Sequence, residues 1–126
     1  MKLIYLASPY SHKDPAVRAF RYEQAVRYAG WLIEEGFMVF SPIAHTHPIA
    51  EVADVPTDWE YWAEYDKRMI DACDELMVID MVGVKESTGV KAEVAYAAET
   101  GKPAVMVGMN EEWKLEFSPI PEELND

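Results

Sequence analysis

The sequence predicts a three-layer α/β sandwich of the Rossmann-like or flavodoxin-like kind, with helices on both faces of a four- to five-stranded parallel sheet. Two observations carry this. Short apolar runs alternate with longer stretches of helical period along the chain, as successive β-α-β crossovers require. The runs are apolar at almost every position, as strands buried on both faces must be. A third observation sets the size. The chain has 126 residues, half of them hydrophobic, which suits a single domain over residues 1–126 with a core that needs no disulfide or metal.

The elements follow in order. "KLIYLA", residues 2–7, is a short apolar run stopped by Ser-Pro, and reads as the first strand. Asp14 can cap a helix and Pro15 suits its first position. Val17, Ala25, Tyr28, Ala29, Leu32 and Ile33 then recur near a 3.6 period until Gly36 ends the helix. "FMVF", 37–40, is the second strand. Residues 41–56 hold three prolines and no clear period, so a loop is expected there. Thr57-Asp58 opens an aromatic-rich helix that runs to about Cys73. "ELMVIDMV", 75–82, is the third strand and "GVKEST", 83–88, a loop. A helix from about Gly89 to Thr100 precedes the fourth strand, "PAVMVG", 103–108. The tail fits either a turn of helix or an edge strand.

Composition excludes several function classes. The net charge of −12 argues against a nucleic-acid polymer as partner, because that affinity comes from neutralised phosphates. It leaves room for one small nucleotide, whose phosphate needs only a few N–H groups and an arginine. The ordinary role of such charge is solubility. The single cysteine, Cys73, forms no internal disulfide and fits a reducing cytoplasm. The opening apolar run is too short to span a membrane, and "SPYSHKD" follows it instead of a cleavage site.

In parallel sheets of this kind ligands bind beyond the carboxyl ends of the strands. That rule selects residues 7–14, 41–48 and 81–93. The first holds Ser8 and Ser11, with Arg18 and Arg21 in the helix that follows. Together they suit a phosphate or a sugar hydroxyl, or else form a capped turn with exposed arginines. His45 and His47 in the second would face one side of an extended segment. They line a pocket or face water, and no further ligand completes a metal site with them. Asp66, on the aromatic helix, reads from the residues alone as a solvated acid. Glu93 is the odd residue of "STGVKAEVAYAAE". Its neighbours one turn away are Gly89, Val90, Tyr96 and Ala97, a small apolar face. A carboxylate there is either paired, protonated or functional, or it serves the helix N-terminal dipole.

"LIYLASPY", "YDKRMIDACDELMVID" and "STGVKAEVAYAAETGKPAV", in this order, resemble the nucleoside 2-deoxyribosyltransferase superfamily. The resemblance covers roughly residues 2–107, and its "SPYSH" turn is most similar to short phage and bacterial members. It implies that Glu93, in the pattern S/D-x-G-x-x-x-E, is a nucleophile. It implies further that Tyr5 orients Glu93, and that Asp66 and Asp74 match the family's two acids. Ser8, Pro9, Ser11, Arg18, His45, Ser87 and Gly89 become the expected substrate-binding residues. Ser87 stands where the transferases carry Asp. The 5′-monophosphate N-hydrolases of the superfamily carry Ser there, and a hydroxyl tolerates a phosphate that a carboxylate would repel.

The implied activity is cleavage of the base–sugar bond of a (deoxy)nucleoside 5′-monophosphate through a covalent glycosyl intermediate. Base exchange, as in the transferases, is the alternative outcome. No metal or organic cofactor is called for. The implied partner is a small nucleoside or nucleotide, and the family's shared sites imply a homodimer or larger, with Asn110 or Ser118 reaching a neighbouring subunit. A non-catalytic nucleotide sensor and a flavin-carrying electron carrier fit the same layout. The first loop lacks the Ser/Thr/Gly-rich cradle that a flavin phosphate would need.

Overall fold

The computed structural model describes residues 1–125. Five strands form one sheet: β1 (Leu3–Ala7), β2 (Met38–Phe40), β3 (Glu75–Ile79), β4 (Ala104–Met109) and β5 (Leu115–Pro119), in the order β2-β1-β3-β4-β5. The first four are parallel, and β5 runs antiparallel along β4. The architecture is thus the expected α/β sandwich with one departure, the reversed fifth strand. The tail holds both structures that its sequence left open, the edge strand and a 3₁₀ turn at Glu122–Leu124. Hairpin geometry explains the reversal. Asn110 Oδ1 accepts from the N–H groups of Glu112 and Lys114, and Trp113 takes a positive φ of 60°, which folds the chain straight back.

Four helices cover the sheet: α1 (Pro15–Glu34), α2 (Pro42–Ala53), α3 (Trp59–Ala72) and α4 (Thr88–Glu99). Strand alternation sorts the core. Ile4 and Leu6 of β1 and Met77 and Ile79 of β3 pack with Tyr28 and Leu32 of α1. Tyr5 and Ala7, with Leu76 and Val78, face the other way and pack with Ile70 of α3 and Val90, Val94 and Ala97 of α4. Leu124 of the final turn is buried in this second cluster. Among the described residues, no helix is long and apolar enough to cross a membrane.

The expected loop over 41–56 is instead mostly helix. Ser41 caps α2 by accepting from the Ala44 N–H, and Pro42 fills the first helical position, where no N–H is needed. Pro48 lies inside the helix on its exposed side. Asp54, in the left-handed region at φ 57°, ends it. Proline count misled here because one proline starts the helix and another lies beyond its end.

The change in strand order lies between β1 and β3. One crossover leaves β1 toward β2, and the chain then returns past β1 to β3. The carboxyl ends of these two strands therefore open a crevice, the usual ligand position of the architecture.

Candidate active site

A cleft of about 660 Å³ occupies that crevice, a volume within the range of small-molecule sites. Ser8 and Ser11 enter it from the loop after β1, and Gly83 from the loop after β3. Ser87 and Gly89 belong to the start of α4, and Trp59, Trp62 and Asp66 to α3. Glu93, one turn into α4 from Gly89, forms part of the wall.

Three groups meet at the base of the cleft. Tyr5 stands fully buried on β1, between β2 and the central β3, and its hydroxyl donates a hydrogen bond to Glu93 Oε2. Glu93 is 4 % exposed and Asp66 7 % exposed. Burial pushes the Glu93 carboxyl up to about 8, and the nearby Asp66 charge adds to the rise; the Tyr5 hydroxyl opposes it. Burial likewise pushes Asp66 up to about 7. Both carboxyls thus titrate in the neutral range, as a coupled pair. Burial raises Glu93 the further of the two, and hydrogen bonding pulls the other way. Tyr5 has one phenolic hydrogen and gives it to Glu93, which favours a carboxylate there. Asp66 Oδ1 is buried with no partner, which favours the neutral acid. Burial, with the same two acids beside it, holds the Tyr5 phenol well above its usual range, so it remains a donor.

Ser8 Oγ is likewise buried without a partner. It and Asp66 Oδ1 are the buried unpartnered side-chain polar atoms among the described residues, and both residues line the cleft. Native interiors rarely leave such atoms unpaired, so their coincidence in one cleft marks it as the candidate site.

Hydrogen bonds tie part of the rim together. Arg21 Nη1 donates to the Ser11 carbonyl at 2.9 Å, and Ser11 Oγ donates to the Thr57 carbonyl at 2.7 Å. Arg21 Nη2 lies 2.5 Å from where a side chain on Gly83 would begin, and Gly83 has a φ of 92°. Only glycine satisfies both conditions without rearrangement. Arg21 makes no ion pair among the described residues, and burial lowers its pKa.

Several expected site residues lie elsewhere. Arg18 does not line the cleft; it donates to the His12 carbonyl, while Arg21, one turn further along α1, takes the cleft position. Pro9 is buried beneath the loop and is not part of the wall. His45 and His47 are both outside the cleft wall, and because residues 42–53 are helical the two lie on opposite sides and not on the same side. His45 Nε2 instead shares a 2.8 Å hydrogen bond with the Tyr65 hydroxyl. His47 is buried, stacked on Tyr22 with ring centroids 4.4 Å apart and bonded through Nδ1 to the Tyr10 hydroxyl at 2.7 Å. Asp74 pins the start of β1 by accepting from the Leu3 N–H. Asn110 is used in the β4–β5 turn, and Ser118 is exposed on β5. Ser87 caps α4 by accepting from the Val90 N–H. Gly89 needs no special φ, but its bare surface lies against Trp59.

Trp59 and Trp62 are wall residues that the sequence did not place in the site. Aromatics at helical spacing are usually core, and spacing alone cannot separate a core aromatic from a wall aromatic. The separating signal lies in register. Trp59 and Trp62 precede Asp66 by about two turns and one turn, so all three share a face of α3.

Fold and site define an α/β protein with a small-molecule-sized cleft at the sheet's switch point and two buried carboxyls, one of them bonded to a tyrosine. The family model described as "Domain of unknown function (DUF1937)" matches residues 2–109, and the chain belongs to that family. No curated protein matches the sequence.

Proposed function

We propose that the protein is an N-glycosidase that cleaves the base–sugar bond of (deoxy)nucleoside 5′-monophosphates. The buried Glu93–Tyr5–Asp66 cluster carries this reading. Two carboxyls of unequal environment, one favoured as anion and one as acid, are what glycosidic cleavage needs.

In the proposed reaction Glu93 attacks C1′ and forms a glycosyl ester. The electron pair of the C1′–N bond passes to the base, and Asp66 supplies the proton that the departing base takes up. Asp66, now ionised, takes a proton from water as the water oxygen attacks C1′. Glu93 leaves as a carboxylate, and both groups return to their starting states. Tyr5 holds Glu93 in position throughout and stabilises its anion. Removing the 2′-hydroxyl eases the oxocarbenium-like transition state, which favours deoxy substrates.

Arg21 is the arginine in the wall, and with Ser8 and Ser11 it suits a phosphate. Ser87 contributes in a different way. An aspartate would cap α4 equally well, so capping does not explain the serine. Its neutrality spares the cleft another carboxylate beside Asp58, Glu60, Asp66, Glu86 and Glu93. Those acids also favour a second reading, base exchange on neutral nucleosides, because a phosphate must be held against them.

The test is incubation with each deoxynucleoside 5′-monophosphate and each deoxynucleoside, followed by separation of products. Free base from the monophosphates, lost in Glu93→Ala, supports the proposal. Release from nucleosides alone, or a new nucleoside formed with an added second base, supports exchange. Absence of free base from every substrate sinks both, leaving a nucleotide-binding protein without turnover.

A further inference from the structure

We infer that Trp59 is the platform on which the substrate's base stacks, so that the ligand lies with its flat ring against the start of α3. This rests on the glycosidase reading for the identity of the flat ring, though the wall itself is independent of it.

Three observations place the platform. A methyl group built on Gly89 would meet Trp59 Cε3 at 3.6 Å and Cβ at 3.7 Å, so the indole leans on the bare first turn of α4. Gly89 lies one turn before Glu93 on the same face, which sets the indole about one helical turn from the nucleophile, on the order of the 5.4 Å pitch. Trp59 and Asp66 share a face of α3, so the acid that protonates the leaving base lies on the same side of the cleft as the ring that would hold that base.

The two tryptophans of the wall are not equivalent. Trp62 donates its indole N–H to the Pro56 carbonyl at 2.8 Å and packs edge-on against Tyr61 and Tyr65. It is committed to the protein. Among the described residues the indole N–H of Trp59 has no partner, and its ring is only partly buried. A partly exposed indole with a free donor, on the same helix face as a buried acid, offers both a stacking face and a polar handle to a heteroaromatic ring. Arg21 approaches from α1 and the loop after β1, so the sugar and phosphate extend from the base toward that loop.

The experiment is calorimetric titration of wild type, Trp59→Leu and Trp59→Phe with adenine, guanine, cytosine, thymine and 2-deoxyribose 5-phosphate. Wild type should bind at least one free base. Trp59→Leu should weaken that base roughly tenfold or more, the usual scale of base–aromatic stacking, and leave the sugar phosphate within about twofold. Trp59→Phe should recover most of the loss, because it keeps a flat face. Three results overturn the inference: no base bound by wild type, equal base affinity in Trp59→Leu, or equal loss for base and sugar phosphate. The last would mean that the indole merely spaces α3 from α4. The glycosidase reading fails separately, when bases bind through Trp59 but no nucleotide or nucleoside is cleaved.

Discussion

The two faces of the sheet solve different problems. On the α1 face, Ile4, Leu6, Met77 and Ile79 meet Tyr28 and Leu32 in a cluster without a buried carboxyl. On the α3–α4 face, the same strands present Tyr5, Leu76 and Val78 to helices that carry Asp66 and Glu93 into the interior. The first face contributes stability, since each buried aliphatic side chain is worth about 1.5–3 kcal/mol. The second gives some of that back, because two raised carboxyls are held out of water. A single strand serves both, since Ile4 and Leu6 point one way and Tyr5 the other.

This contrast can be broken deliberately. The largest effect is expected at the two carboxyls that the proposed reaction uses. Glu93→Gln should lower cleavage of a substrate nucleotide by more than roughly a thousandfold, and Asp66→Asn by about a hundredfold or more, the range of a lost general acid. Product chromatography measures both. Asp66→Asn should also flatten the alkaline limb of the rate profile. The acid limb, where Glu93 takes up a proton, should remain.

Next is the opposite face. Leu32→Ala should cost about 2–5 kcal/mol in urea unfolding while kcat per folded molecule stays unchanged. A comparable fall in kcat would show that the two faces are not separable.

Stability should respond to pH in a direction set by the pair. Both carboxyls bind protons more tightly folded than unfolded, so stability is greatest near pH 4 and falls as pH rises toward about 8. Glu93→Gln removes one such group. It should stabilise the fold on the order of 2 kcal/mol at pH 8 and by much less at pH 5, read from melting at the two values. An equal gain at both would disprove the assigned rise.

The smallest effect is expected at the rim. Gly83→Ala places a methyl where Arg21 Nη2 now lies and forces a side chain to a φ of 92°. It should cost roughly 1–2 kcal/mol and move the guanidinium, raising KM for a 5′-monophosphate more than for the matching nucleoside.

Much of the fold was legible because its signals are local. The apolar runs of β1 to β4 and the caps of α1 and α3 each state their element within a few residues. Helix α2 was hidden because its prolines carry opposite meanings at different positions, and a count cannot tell Pro42 from Pro56. The site was legible in part. Glu93 stood out as an acid on a small apolar face, and the resemblance pointed to Tyr5 and Asp66, which the fold brings to the same cleft base. The histidines were misplaced together with their helix. Arg18 and Arg21 lie on neighbouring turns of α1, and only the packing around Gly83 and Ser11 decides which of them reaches the cleft. Trp59 and Trp62 share the spacing of core residues, and the position of Trp59 on the wall depends on the bare surface of a glycine in another helix.

Ser11 takes part in two bonds at once, giving its hydroxyl to Thr57 and its carbonyl to Arg21. The loop after β1, α1 and the approach to α3 are therefore latched through one small exposed residue. In the proposed cleavage, control of turnover by product release past this rim would show as a changed kcat in Ser11→Gly, which removes the hydroxyl bond to Thr57, keeps the carbonyl bond to Arg21 and touches no acid.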